Sequence, residues 1–500
     1  MNNAPRSERL WFAAALLLAV VVRVAWLGDK PFWRDEASVA LAIESPLAAV
    51  IDPQRPRAVP VGFVALAKAT GRLPLAPEIA YRLVPLCVGL ALVPLLGRFA
   101  AALGAPAPVP LLVVWLAAAL PALVYYSRDL KSYGLDALLA TLAPLLALRL
   151  FGRAADGGGL APARAGAGLV ALLAVAPWIT FGSAFALAAL LLWGWARWMP
   201  SAAPGARRWW AAASGVYAAS FVIALRVALA PQAASPGLRS TWRGWHLDDG
   251  SAANAVEAVG RFLALSTRYV FLDVWLLALP LALLGAWCWT RPQRATLVWL
   301  YAGTGALTIA ATLTGRYLLA DGRLLLAALP PLLLAAAHGL AVVARRIAPR
   351  HGRAATLAAV VPLTLWWGGR ALAARYAPHP TAAPYFIFDI VHDVGAMLDT
   401  AAALIPAGEP LYVGEWASRP FGYYRRHGDR GRFADATVCG EPCDLAATTS
   451  AWLSARQGHG WMLLTTDQLD AYAAILAERG VRPDERARRR GVVLWEIGGP

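Results

Sequence analysis

Residues 108–126 read PVPLLVVWLAAALPALVYY, residues 127–131 SRDLK, and residues 132–151 SYGLDALLATLAPLLALRLF. The flanking runs are almost free of charge. Each approaches the roughly 20 residues that an α-helix needs to cross the hydrocarbon core of a bilayer. The five residues between them include Arg128, Asp129 and Lys131, so the turn belongs at a membrane surface. This stretch reads as two transmembrane helices joined by a short charged link.

The pattern recurs along the chain. About eleven candidate spans follow from apolar length, near 10–27, 79–97, 108–126, 132–151, 166–181, 183–199, 209–229, 270–289, 295–313, 324–343 and 354–372. Composition agrees. The 500 residues are 59% hydrophobic and only 15% charged, against about 25% charged in soluble proteins. The same figures exclude disorder, which needs few apolar residues. A collagen-like or disulfide-scaffold chain is excluded by glycines without a triplet period and by a total of 4 cysteines. The net charge is +16. Two readings of that excess stand: loop arginines obeying the positive-inside rule, and a site for an anionic, phosphate-bearing substrate. A nucleic-acid partner is not expected of a chain embedded in a lipid bilayer.

Orientation follows from arginines in the short connections. Arg6 and Arg9, then Arg98, Arg153 and Arg164, then Arg197, Arg207 and Arg208, then Arg291 and Arg294, and finally Arg345, Arg346, Arg350 and Arg353 fall on one side. That side is the cytoplasm, which places the N-terminus inside and the C-terminus outside. Segment 10–27 is read as a retained span rather than a cleaved signal, because no small-residue cleavage site precedes Trp26.

The chain thus divides into a transmembrane domain, residues 1–375, and an outer domain, residues 376–500. Two outer loops are long. Loop 28–78 contains the half-apolar stretches Ala37–Val50 and Val61–Thr70, expected as helices in the interface plane. Loop 230–269 is rich in Trp, Arg and Asp, and Trp242-Arg243-Gly244-Trp245-His246 is a candidate acceptor contact. The outer domain reads as a soluble α/β fold with strands at Leu411–Val413, Trp461–Thr465 and Val492–Ile497. A helix is expected through Leu469, Tyr472, Ile475 and Leu476, started at Thr466-Asp467 and closed by Gly480. Alternation of strands and helices points to a small, mainly parallel sheet. Cys439 and Cys443 lie on the oxidising side at a spacing that permits a bridge without requiring one. Cys87 and Cys288, inside predicted spans, are expected as inert core thiols.

Ionisable residues at the outer membrane edge carry the functional signal, because charge there is costly and often marks a substrate path. Phe32-Trp33-Arg34-Asp35-Glu36 places two adjacent carboxylates just after the first span. Tyr126-Ser127-Arg128-Asp129-Leu130-Lys131-Ser132-Tyr133 links the third and fourth. Arg316-Tyr317 and Asp321-Gly322-Arg323 link the ninth and tenth, and Arg82 starts the second. The chain has three lysines, Lys30, Lys68 and Lys131, against 43 arginines. All three fall outside, where the positive-inside rule does not put them. Each motif alone has a bland reading as an aromatic belt or ordinary loop charge; their convergence on one rim does not. There is no Walker loop, no dinucleotide fingerprint and no His/Cys metal spacing, and His246, His379, His392 and His427 are scattered. No cofactor or metal is therefore called for. With no central row of intramembrane acids to couple an ion gradient, the energy must come from an activated substrate.

In these residues the chain resembles the GT-C membrane glycosyltransferases of the protein-mannosyltransferase and aminoarabinose-transferase type (glycosyltransferase family 39). More narrowly, it is similar to the bacterial branch that includes lipopolysaccharide galacturonosyltransferases. The Phe32–Glu36 stretch resembles that family's acidic pair in the first outer loop. Tyr126–Tyr133 resembles its Tyr-Ser-x-x-x-Lys/Arg-x-Tyr segment, and Arg316–Pro330 its Arg-Tyr…Arg-Leu-Leu…Pro helix start. Pro60–Phe63 with Arg82 also fits. The match covers about residues 10–345. Beyond it the outer domain matches in position and in Tyr412-Val413…Phe421-Gly422-Tyr423-Tyr424. Asp321-Gly322 departs from the proline or small turn that many members place before the residue equivalent to Arg323.

The resemblance implies a polyprenyl-phosphate-linked sugar as donor. It implies an envelope lipid, polysaccharide or protein hydroxyl as acceptor, and a site on the outer face of the inner membrane. In that reaction Asp35 is the expected catalytic base, with Glu36 orienting it or the acceptor. Lys131, Arg323, Arg316, Tyr133, Arg82 and Lys68 are then candidates for binding the donor phosphate. Two rival readings remain at this stage: a lipid-sugar flippase, which would need charges spread through the membrane depth, and a non-catalytic assembly protein, which would tolerate loss of Asp35 and Lys131.

Overall fold

The computed structural model describes residues 6–25, 27–52, 59–153, 161–233, 247, 251–271, 274–319, 322–349, 352–373, 392–427, 430–440, 443–456 and 459–498. The Trp242–His246 segment, Asp321, His379 and the first residues of the outer domain lie outside them.

The chain is mostly helical. Six described helices are long and apolar enough to cross a membrane: Pro77–Ala102, Tyr133–Leu150, Pro162–Ile179, Pro204–Leu229, Arg291–Leu313 and Gly322–Ile347. The pair Val109–Ala119 and Pro121–Arg128, bent by 52°, meets the same test only when its helices are taken together, so the described helices account for up to seven of the eleven expected spans. Pro121 explains the bend. It has no N–H to give the carbonyl of Ala117, so the helix breaks there. In lipid a freed carbonyl needs a partner. Arg23, fully buried in the Arg6–Val24 helix, supplies it, donating to Ala117 O at 2.9 Å and also to Ala118 O.

Close packing elsewhere depends on small residues. Trp275–Cys288 lies against Leu329–Ile347 with Gly285 and Gly339 face to face, and a methyl on either would collide with a backbone carbonyl of the other helix. Such apposed glycines let two helix backbones approach within a membrane. Cys87 and Cys288 are exposed on their helices, which corrects the expectation of core thiols. Lipid-facing and core-facing positions of a span are both apolar, so hydrophobicity does not tell one from the other.

At one end of the bundle sit three further helical pieces, Arg34–Glu44, Leu47–Val50 and Val61–Thr70; the expected Ala37–Val50 helix is split in two and starts three residues earlier, and the last piece matches its expected bounds. Over them lies a five-stranded sheet: β1 Leu411–Val413, β2 Thr437–Val438, β3 Gly460–Thr465, β4 Pro483–Arg489 and β5 Val492–Ile497, in the order β2-β1-β3-β5-β4. β1 pairs parallel with β2 and β3, whereas β5 runs antiparallel to both β3 and β4. The sheet is mixed, not mainly parallel. Two strands go beyond the sequence reading: the two-residue β2, and β4, which is mostly charged and lies at the exposed edge, where arginines and acids discourage further pairing. Gly480 takes a positive φ of 69° just beyond the Leu469–Glu478 helix, the left-handed turn that glycine adopts freely. Cys439 and Cys443 form a disulfide.

The outer loop and the sheet layer share one hydrophobic core. Phe32, Val39 and Phe63 pack in the same cluster as Val413, Phe421 and Leu494. The Ser418–Tyr424 helix presses on Arg34–Glu44. Tyr424 accepts from the Phe32 N–H at 2.8 Å and donates to Glu78 at 3.2 Å, and His427 meets Glu44 at 2.7 Å. The acidic helix is thereby held between the bundle and the outer sheet.

Candidate active site

The Arg34–Glu44 helix begins at Trp33, whose side chain makes no cap. Its start is fixed instead by a buried charge cluster. Glu36 is fully buried and takes two bonds from Arg82, Nε to Oε1 at 2.8 Å and Nη2 to Oε2 at 2.7 Å. Arg82, equally buried, also donates to the carbonyls of Leu27, Lys30 and Pro31 and stacks on the Phe32 ring. A guanidinium with five fixed donors suits this job, and a lysine would not replace it. Glu36 accepts the Leu130 N–H at 2.8 Å and lies 3.9 Å from Lys30. Burial alone would raise the Glu36 carboxyl, but Arg82, Lys30 and the Leu130 N–H hold it below its ordinary value.

With Glu36 turned inward, Asp35 faces the rim and is 22% exposed. Its Oδ2 is shared by Arg323 Nη1 at 3.3 Å and Lys131 Nζ at 3.7 Å. These cations come from two links distant in sequence, one after the bent pair and one leading into the Gly322–Ile347 span. Tyr133 lies under Arg323, with the guanidinium 5.7 Å from the ring centre, a contact that favours a cation over the ring face. Tyr133 in turn packs edge-on against Tyr126. Tyr317 braces the Arg323 segment by donating to Leu324 O at 3.0 Å. Desolvation would raise the Asp35 carboxyl; Lys131, Arg323, Arg34 and Arg419 outweigh it and hold it well below the usual carboxylate range. Desolvation, with Arg323 nearby, lowers the Lys131 ammonium despite the support of Asp35.

The structure therefore brings together Asp35, Lys131, Arg323 and Tyr133, with Glu36 and Arg82 paired directly behind. Lys68 stands apart. Its ammonium donates to Ile43 O at 3.0 Å and Ser45 O at 2.9 Å, at the C-terminal end of the acidic helix. At about 1.5 Å per residue, that end lies roughly 13 Å from Asp35. Arg82 is committed to Glu36 and three carbonyls, so it is placed as a clamp and not as a phosphate ligand. Arg316 is exposed beyond the Arg291–Leu313 helix.

Several residues at the site carry no role in the sequence reading. Arg419 and Trp416 reach it from the sheet layer, Trp416 lying 5.2 Å under Arg34. No local motif announces them. Asp136, one turn into an apolar span, is buried and accepts from Thr180 Oγ1 and from Ser183 N, tying two helices together below Tyr133. A carboxylate at that depth was the available signal. Among the described residues, no group of three or more His, Cys, Asp or Glu side chains is placed to hold a metal.

A carboxylate sharing two cations at a membrane edge can bind an anion beside a proton acceptor. Solved structures with the same architecture exist. ArnT from Cupriavidus metallidurans in the apo state matches over 97% of both chains with a TM-score of 0.60 at 14% identity. The chain has the GT-C fold. ArnT bound to undecaprenyl phosphate matches over 97% of both chains with a TM-score of 0.54 at 14% identity. An Archaeoglobus fulgidus oligosaccharyltransferase, in complex with Zn and sulfate, matches over 93% of this chain and 69% of its own, with a TM-score of 0.56 at 12% identity. No family model matches the chain, and no curated protein matches it in sequence.

Proposed function

We propose that the protein is an inverting glycosyltransferase that moves a sugar from a polyprenyl-phosphate donor to a hydroxyl of an envelope lipid, polysaccharide or protein. The observation that carries this is the Asp35 carboxylate shared by Lys131 and Arg323 at the end of the spans. The undecaprenyl phosphate in the similarly folded ArnT supports a lipid phosphate as ligand here. In this reading the chain crosses the inner membrane about eleven times, N-terminus inside. Residues 376–500 form an outer domain, and the site faces the periplasm.

The chemistry follows from the charges. The acceptor oxygen attacks the anomeric carbon on the face opposite the phosphate. The carbon–oxygen bond to phosphate breaks, and polyprenyl phosphate leaves with the electron pair. Lys131 and Arg323 stabilise the charge that grows on its oxygens. The hydroxyl proton passes to Asp35, the single base that a one-step inversion needs. Once the donor phosphate shares Lys131 and Arg323, those cations hold Asp35 less strongly as an anion, and its proton affinity rises toward a useful value.

Mass spectrometry of lipid-linked sugars and envelope glycans tests the proposal. Cells lacking the protein are compared with cells carrying wild type or Asp35→Asn. A lipid-linked sugar should accumulate, and one glycan should lose the matching residue, in both deficient strains. Wild-type glycans in the Asp35→Asn strain would refute the assignment and move a transport or assembly role to the front.

A further inference from the structure

Behind Asp35 lies a second buried acid that the proposed reaction does not use. Asp129 is 1% exposed. Its Oδ1 accepts from Trp33 Nε1 at 3.0 Å and lies 3.6 Å from Lys30 Nζ. The same ammonium reaches Glu36 at 3.9 Å and sits 4.8 Å over the Tyr125 ring. Asp129 also begins a tight turn in which the Lys131 N–H returns to its carbonyl at 2.7 Å.

Three successive residues of this turn thus grip the start of the acidic helix. Asp129 holds Trp33, the Leu130 N–H holds Glu36 at 2.8 Å, and Lys131 reaches Asp35 at 3.7 Å. Because the Arg34–Glu44 helix has no side-chain cap of its own, the grip decides where Asp35 points relative to Lys131. The cluster is balanced, with Glu36 and Asp129 against Lys30 and Arg82. An unbalanced buried charge would be costly, so each member depends on the others' ionisation.

Resting on the glycosyl-transfer reading above, we infer that Asp129 is a positioning residue: ionised and paired with Lys30, it sets the geometry between Asp35 and Lys131 without touching substrate. The groups facing it are Lys30 and Trp33 of the first loop segment, Glu36 of the acidic helix, Arg82 at the start of the Pro77–Ala102 helix and Lys131 of its own turn. Burial, then the Glu36 carboxylate, push the Asp129 carboxyl up to about 6, against the pull of Lys30, Trp33 and Lys131. The positioning form is the carboxylate. It is present above that value and lost as pH falls through it. In the donor-free protein, which the pH profile of kcat/KM reports, Asp35 is held far lower and stays ionised across this window.

The test uses purified full-length protein in liposomes and, as donor, the lipid-linked sugar extracted from cells lacking the protein. Asp129→Asn keeps the shape and the Trp33 bond but removes the charge. Its kcat should fall about tenfold, since small misplacements of reacting groups are expensive, and undecaprenyl phosphate binding should change less than about threefold. The wild-type acid limb of kcat/KM near pH 6 should vanish in Asp129→Asn and persist, shifted, in Asp129→Glu with part of the rate restored. Lys30→Met should slow transfer similarly, and adding it to Asp129→Asn should cost little more, as expected of one coupled pair. An Asp129→Asn protein with wild-type kcat, or a slow one that keeps the acid limb, overturns the inference. If Asp35→Asn also transfers at the wild-type rate, the proposed function has failed; if Asp35→Asn is dead and Asp129→Asn is normal, only this inference has.

Discussion

Replacing Arg82 by methionine should unfold the outer rim of this protein at markedly lower temperature. Arg82 and Glu36 are both fully buried, so the substitution leaves a carboxylate with only Lys30 at 3.9 Å as counter-ion. Breaking a buried pair by removing one partner typically costs about 3–5 kcal/mol. Three carbonyls, of Leu27, Lys30 and Pro31, lose their donor as well, so the upper part of that range applies. At roughly 2–4 °C per kcal/mol for domains of moderate size, the midpoint in detergent should drop by at least several degrees. Combining Arg82→Met with Glu36→Met removes the stranded charge. An apolar pair in place of a buried ion pair is often neutral, so the double variant should melt between the single variant and wild type. Intrinsic fluorescence during a thermal ramp, with size-exclusion chromatography for monodispersity, reads both. A wild-type midpoint for Arg82→Met, or a further fall in the double variant, would refute the clamp.

Two further expectations concern the rim itself. Tyr133→Phe keeps the ring under Arg323 and should transfer near the wild-type rate, whereas Tyr133→Ala should weaken undecaprenyl phosphate binding by about 2- to 30-fold, the range of a cation–ring contact; equal effects in a binding titration would contradict the stacking role. Lys68→Met removes a cation from the C-terminal carbonyls of the acidic helix. It should lower the melting temperature, through a loss of about 0.3–2 kcal/mol, and leave undecaprenyl phosphate affinity unchanged; weakened binding would return Lys68 to the phosphate site.

Much of this was legible in the sequence, for identifiable reasons. Apolar length located seven of the eleven expected spans, six as single helices and one as the bent pair, because a bilayer imposes it on any helix that crosses. Helical stretches at 37–50 and 61–70 and strands at 411–413, 461–465 and 492–497 were marked by local pattern, although the first is split and begins at Arg34. Asp35, Lys131 and Arg323 were found as charges at a membrane edge, where charge needs a reason. Partnership was less legible. Asp35 and Glu36 are neighbours with opposite fates, and only the fold shows that Arg82 claims Glu36 while Lys131 and Arg323 share Asp35. Lys68 carries the same outer-lysine signal as Lys131 but spends its charge on backbone carbonyls. Arg419 and Trp416 approach from the outer domain, nearly 400 residues along the chain, and no spacing rule reaches that far. The charged edge strand 483–489 shows no apolar alternation because only its neighbour β5 is buried.

In the proposed reaction Lys131 and Arg323 hold the donor phosphate while Asp35 takes the acceptor's proton. Undecaprenyl phosphate binding to purified wild type, Asp35→Asn and Lys131→Met proteins tests it most directly, alongside transfer in cells carrying each. Asp35→Asn removes the carboxylate that competes for both cations. It should bind undecaprenyl phosphate at least as tightly as wild type and transfer no sugar, while Lys131→Met should lose binding. Weaker binding in Asp35→Asn, or undiminished transfer by it, would rule out these roles for Asp35, Lys131 and Arg323.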